Sequence, residues 1–273
     1  MSLSPSQTRA DFLVVGAGIA GASVAYELAG KGAAVIVLEQ EPRAGMHSTG
    51  RSAAIFSEIY GNAAVRALSR ATRRFLFDPP PDFTEGPLVR PRETLFIAPP
   101  EQVAALRALR LEPDVAAGTR PLTRREALAR VPILRPEAVA EALLEPDAND
   151  IDVNALHEGF LRGARKRGAK LVTDAAISAI ERKGRAWRVE TVGADYSAPV
   201  LIDAAGAWAD EVARLAGVTP LGLVPKRRTV VTFDVRSDLR VGDWPLVIDA
   251  EETFYFKPDA GRILLTPADE TPS

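Results

Sequence analysis

Residues 11–39, DFLVVGAGIAGASVAYELAGKGAAVIVLE, restrict the fold more than any other stretch of this chain. DFLVV is a short apolar run that ends in glycine and reads as a buried strand. A helical pattern follows from about Ala20 to Lys31, with Gly32 at the stop position. AAVIVLE (33–39) is a second buried strand. Strand, helix and strand in that order seed a parallel sheet. Between the first strand and the helix stands Gly16-Ala17-Gly18-Ile19-Ala20-Gly21, and the second strand closes on Glu39. In this context G-x-G-x-x-G is a dinucleotide-binding fingerprint.

Each of its residues has a mechanical task. Gly16 allows the tight turn, Gly18 lets the backbone approach a pyrophosphate, and Gly21 lets helix and strand pack closely. The helix N-terminus offers unpaired N–H groups and a favourable dipole to the phosphates. Glu39 is placed to accept hydrogen bonds from an adenosine ribose, and its charge disfavours a 2′-phosphate and so NADP. The fold alone does not choose between NAD and FAD. The next loop, HSTGRSAA (47–54), favours the flavin. Its small residues allow close backbone approach, and Ser48, Thr49, Ser52 and Arg51 can serve phosphate or flavin oxygens. Farther along, PVLIDAAGAWADEVARLAG (199–217) again sets small residues where a strand meets a helix, which is the ligand edge of a doubly wound sheet. Trp208 in this stretch reads as core.

Composition removes several alternatives. A net charge of −2 and a pI of about 5.9 argue against a nucleic-acid partner and a polybasic membrane patch. The absence of cysteine excludes disulfides, thiolate metal sites and cysteine-linked cofactors, and suits a cytoplasmic enzyme. Only His47 and His157 are available as imidazole ligands, so no metal site is expected. No apolar stretch has the length of a transmembrane span.

Along the rest of the chain, helical spacing covers 62–75, and DPPPDF (78–83) reads as a crossing between two domains. Charges at 101–130 fall on a solvated helix face. A strand is expected near Thr94–Ala98, an amphipathic helix at 152–167, strands at 170–173, 186–192 and 199–203, and a helix at 208–216. The final section predicts strands at 228–235, 245–248, 253–258 and 262–266, with a hairpin turn at PDAG (258–261). The expected fold class is α/β, with a Rossmann-like FAD-binding domain, and a family resemblance carried by the motifs that follow implies in addition a mixed-sheet α+β substrate domain. On that likeness the FAD-binding domain is assigned 1–80 and 146–224, the substrate domain 81–145 and 225–273.

Taken together, GAGIAGASVAYELA, GMHSTGRSAA, IDVNALHEGFLRGARKRGA and DAAGAW resemble the FAD-dependent D-amino-acid oxidase and dehydrogenase family. Within it, YGNAAVRALSRATRRF, PLGLVPKRR and FYFKPDAG resemble the bacterial D-arginine dehydrogenases most. The resemblance covers about residues 10–270. It implies hydride removal from the amine-bearing carbon of a small-molecule amine or D-amino acid, and an imine that hydrolyses to a 2-oxo acid and ammonia. The electron acceptor is left open. It also implies FAD contacts from Gly21, Glu39, Gln40, the 48–55 loop (Ser48, Thr49, Gly50, Arg51, Ser52, Ala53), Ala176 and Ala207. A non-covalent flavin is implied beside His47. By the same likeness Tyr60 belongs to an active-site lid with Glu252. Arg228 lies in the substrate cavity, Tyr255 faces the substrate carboxylate, and Ile55, Ser57, Thr94, Leu246 and Ile248 line the pocket.

Three departures stand out. Ile55 replaces a histidine, and Thr94 replaces a glutamate that recognises a cationic side chain. Losing such a partner costs about 2–5 kcal/mol, so a smaller or more apolar substrate than D-arginine is expected. The family also continues beyond the last residue here, so the chain reads as C-terminally truncated. The alternative to an active enzyme is a non-catalytic FAD-binding fragment.

Overall fold

The computed structural model describes residues 8–273 and divides into two compact units. The first comprises the residues up to Ala54, Pro79–Leu88 and Asp152–Val224; the second comprises Ile55–Asp78, Val89–Ile151 and Pro225–Ser273. These bounds differ from the expected domains. Residues 55–78 and 146–151 fall in the second unit, where Ile55–Phe56 and Val89–Pro91 both pair with Asn149–Ile151, and residues 81–88 fall in the first. The proline run marks the passage back into the first unit.

The first unit is built on a four-stranded parallel sheet, in the order Lys170–Val172, Val35–Leu38, Phe12–Val15, Val200–Asp203. Val35–Leu38 is buried along its whole length, as an apolar run rich in β-branched residues in a parallel sheet should be. The helix Ile19–Gly30 packs on Val153–Lys166. Gly163 makes this close, since a Cβ there would lie 2.4 Å from the Tyr26 ring. A second sheet combines Ile177–Lys183, Ala186–Thr191 and Asp195–Ala198 as antiparallel neighbours.

The second unit carries a seven-stranded mixed sheet, in the order Val231–Phe233, Arg262–Thr266, Tyr255–Asp259, Leu246–Asp249, Thr94–Ala98, Glu141–Glu145, Arg120–Leu122. Only the pair Leu246–Asp249 with Thr94–Ala98 is parallel. Leu95, Ile97, Leu144, Val247, Phe256 and Ile263 face one core on one side. The period of two then sends Thr94, Phe96, Leu143, Glu145, Leu246, Ile248 and Tyr255 to the other side. The expected hairpin closes through Ala260 (φ 47°) and Gly261 (φ 80°). Two positive values match the twist of the flanking strands.

Several sequence readings need correction. Glu141–Glu145, Ile177–Lys183 and Asp195–Ala198 are strands that the pattern did not announce. EALLE has helix-forming composition, and its place between two neighbouring strands overrides that preference. The strand expected over 228–235 shrinks to Val231–Phe233, at a sheet edge where Val231 and Phe233 are exposed.

Candidate active site

The first unit presents a cavity of about 180 Å³ at the carboxyl end of its parallel strands. Gly16, Gly18, Glu39, Gln40, Ser48, Thr49 and Ala207 line it, along with Trp208. The glycine turn is sterically committed. Gly16 has φ +95°, and a Cβ on it would lie 2.5 Å from the Ala204 carbonyl oxygen. A Cβ on Gly21 would lie 1.9 Å from the Gly16 carbonyl oxygen. Glu39 is buried, and both its oxygens accept from backbone N–H groups, Ala17 at 2.8 Å and Glu41 at 3.0 Å. A carboxylate has about four acceptor positions, so two remain for ribose hydroxyls.

Thr49 does more than line the cavity. Its Oγ1 accepts from Ile19 N–H at 3.0 Å, so the 45–50 loop ties itself to the start of the helix. His157 completes the tie from below. Its Nε2 lies 2.8 Å from the Ala17 carbonyl oxygen, and its ring lies against Gly45. Trp208, expected in the core, instead lines the cavity beside His47, with ring centroids 4.6 Å apart. Gly21, Gly50, Arg51, Ser52, Ala53 and Ala176 do not line it; Gly21 is buried against the glycine turn, and Gly50, Arg51, Ser52 and Ala176 are exposed. Ala175 and Ile177 line it on either side of Ala176.

The donor set suits a dinucleotide. The Cβ-free cradle at Gly16 and Gly18, the fixed carboxylate of Glu39 and the apolar wall of Val15, Leu38, Ile177, Val212 and Leu215 suit phosphate, ribose and adenine in turn.

In the second unit, residues from three distant segments converge. Tyr60, Arg228, Glu252 and Tyr255 interact electrostatically. Burial raises the pKa of the Tyr60 phenol, the Glu252 carboxylate adds to the rise, and Arg228 opposes it. Burial also raises that of Tyr255, against the charge and hydrogen bonding of Arg228. Arg228 is further paired with Glu270 at 3.2 Å. Glu252 sits at φ +57°, an unusual backbone for a residue with a side chain. The buried Asp249 carboxylate holds that turn. It accepts from Thr253 N–H at 2.6 Å, Thr253 Oγ1 at 2.8 Å, Phe254 N–H at 3.0 Å and Gln102 Nε2 at 2.7 Å.

Leu246 and Ile248 belong to one apolar cluster, against which Ile55 and Tyr255 pack. Thr94 is buried, and its hydroxyl oxygen has no hydrogen-bond partner among the described residues. Ser57 is buried too, and its hydroxyl is committed to the Glu145 carboxylate, at 3.0 and 2.9 Å from its two oxygens. Glu145 pairs in register with Thr94. Burial pushes its pKa up to about 7, against the hydrogen bonds from Ser57 and the Glu58 N–H. Sequence reasoning did not single out Glu145, Asp249 or the role of His157. Their bonding partners are side chains or backbone from other segments, which no local pattern signals.

Among the described residues there is no cluster of His, Asp or Glu suited to a metal ion. No described helix is long and apolar enough to cross a membrane.

The family model described as FAD dependent oxidoreductase matches residues 11–273. Human mitochondrial dimethylglycine dehydrogenase is 25% identical over 266 residues, covering 95% of this chain and 30% of its own length. The chain thus spans about 30% of the curated dimethylglycine dehydrogenases it matches. L-α-Glycerophosphate oxidase from Mycoplasma pneumoniae, solved with FAD bound, superimposes with a TM-score of 0.84 at 20% identity, covering 95% of this chain and 71% of that one. Glycine oxidase from Geobacillus kaustophilus gives 0.79 at 21% identity, covering 98% and 73%. These likenesses support the expected fold and do not single out the D-arginine dehydrogenases.

Proposed function

The chain belongs to the DAO family of FAD dependent oxidoreductases, and from that premise we propose that it oxidises the C–N bond of a small amino acid or related amine. FAD is its cofactor. When bound, FAD supplies the two-electron acceptor for the hydride that leaves the amine-bearing carbon. As the nitrogen gives up a proton to solvent and the carbon its hydride, the substrate C–N single bond becomes C=N, and water then gives a 2-oxo acid and ammonia when the amine is primary.

The observation that carries this reading is the meeting of Tyr60, Arg228, Glu252 and Tyr255 beside an apolar sheet face. Arg228 and Tyr255 offer a cation and a hydroxyl to a substrate carboxylate. Tyr60 and Glu252 serve as lid residues that exclude water. Ile55, Leu246 and Ile248 furnish an apolar wall, which favours a small or apolar side chain over the guanidinium of D-arginine. In the first unit the glycine turn, Glu39, Gln40, Ser48, Thr49 and Ala207 hold the dinucleotide. The D-configuration of the substrate is part of the proposal.

The test is an absorbance spectrum of the purified protein under anaerobic conditions, before and after adding glycine, dimethylglycine, L-proline, D-alanine and D-arginine separately. A flavin band that bleaches with glycine, dimethylglycine or D-alanine supports the reading, and one that bleaches with L-proline alone removes the D-configuration. A preference for D-arginine removes the substrate assignment. Flavin that no amine bleaches supports a non-catalytic FAD-binding chain.

A further inference from the structure

The segment that carries Tyr60 is held by a short chain of hydrogen bonds. Ile55 and Phe56 are paired with the strand Asn149–Ile151, and Asn62 caps the helix Ala63–Phe77 by accepting from Ala64 and Val65 N–H. Between these anchors residues 57–60 form no strand or helix. There Ser57 Oγ accepts from Ile59 N–H at 3.3 Å and from Tyr60 N–H at 3.2 Å, while its own proton goes to Glu145. The same carboxylate accepts from Glu58 N–H at 3.2 Å. All the hydrogen-bonding capacity of the Ser57 hydroxyl is therefore used. Glu145 is 3% exposed and sits inside the sheet, 88 residues away in sequence, and its carboxylate meets the lid segment through these bonds.

We propose that Glu145, acting through Ser57, is a positioning residue that sets the backbone of residues 58–60 and so aims the Tyr60 phenol at Arg228, Glu252 and Tyr255. The proposal rests on the reading of Tyr60 as a lid residue. Glu145 supplies an acceptor on a rigid strand, and Ser57 relays it to two consecutive backbone N–H groups. A glutamine at 145 keeps an acceptor oxygen; an alanine keeps none. An alanine at 57 cuts the relay and leaves Glu145 in place.

The test is amide hydrogen exchange of the flavin-loaded protein by NMR, together with the titration of the Tyr60 phenol. That phenol is one of four tyrosines and is identified by its loss in Y60F. In E145A and S57A the Ile59 and Tyr60 amides exchange about tenfold faster, the scale of one lost hydrogen bond. The strand Thr94–Ala98 keeps its protection, and the phenol pKa moves towards its ordinary value. E145Q retains wild-type exchange at both amides. S57A removes only a hydroxyl and tests the relay itself; if E145A does not fold, E145L, which fills the site without an acceptor oxygen, takes its place in the comparison with E145Q. Unchanged exchange in S57A overturns the proposal, as does E145Q exchanging as fast as E145A. So does a rise spread equally over the sheet, which would mark Glu145 as merely structural. If exchange behaves as expected but Y60F oxidises its best amine at the wild-type rate, the reading of Tyr60 falls and the positioning stands.

Discussion

Glu145 also makes the stability of the second unit depend on pH in a calculable way. Its folded pKa is about 7, against 4.5 for an ordinary glutamate, with burial as the largest cause. Below pH 4.5 the carboxyl is protonated whether the chain is folded or not, and nothing is lost. Between the two values the unfolded chain releases the proton while the folded chain keeps it, so rising pH favours unfolding. Above pH 7 both states are ionised and the whole cost is present. At about 1.4 kcal/mol per pKa unit, this interval lowers wild-type stability by about 3 kcal/mol. The perturbation that isolates the effect is E145Q, which cannot titrate. Urea unfolding at pH 4.0 to 8.0, followed by fluorescence, provides the assay, with the buried Trp244 reporting on the second unit. Other titrating groups are common to both proteins, so only the difference between them is informative. E145Q should gain about 3 kcal/mol on the wild type between pH 4.5 and 7, with flat differences on either side. A constant offset of any size is allowed, because the amide alters local bonding. A difference that does not vary with pH would refute the assignment of a neutral, buried Glu145.

Three further outcomes follow from the geometry. G21A places a methyl group 1.9 Å from the Gly16 carbonyl oxygen, so the turn must shift; the purified protein should lose its flavin absorbance, with a destabilisation of about 1–3 kcal/mol by thermal unfolding. H157A removes the hydrogen bond to the Ala17 carbonyl and the wall beneath Gly45; fluorescence titration should give FAD binding weaker by about tenfold, the scale of one hydrogen bond. D249A leaves four donors without their acceptor; the turn at 250–254 should become the first site of limited proteolysis, with a loss of about 2–4 kcal/mol.

The nucleotide cradle was legible because its determinants are local. Gly16, Gly18 and Gly21 lie within six residues, and their spacing encodes a turn and a helix start. Glu39 could be placed because one strand–helix–strand unit fixes where the second strand ends. The hairpin at 258–261 was legible for the same reason. Other features depend on partners far along the chain. Nothing in EALLE announces a strand whose last glutamate is buried beneath a serine from residue 57. Trp208 looked like core because size and apolarity do not reveal which side of a turn an indole occupies. The likeness to a family named Tyr60, Arg228, Glu252 and Tyr255 as expectations, and their proximity is a property of the fold. Ser57 was expected to face substrate, whereas its hydroxyl turns inward to Glu145.

The threading of the chain through its two units bears on how it is made. Phe12 pairs with Val200 in the parallel sheet, so the edge of the first unit is absent until the ribosome has passed the strand Val200–Asp203. By then residues 55–78 and 89–151 of the second unit have already emerged, without the strands that follow Pro225. Neither unit can close early, and each waits with its central strands unpaired on one side. Such edges invite aggregation during synthesis. A chaperone that shields the Phe12–Val15 and Thr94–Ala98 strands until the later segments emerge should therefore raise the soluble yield more than a rise in the final stability would.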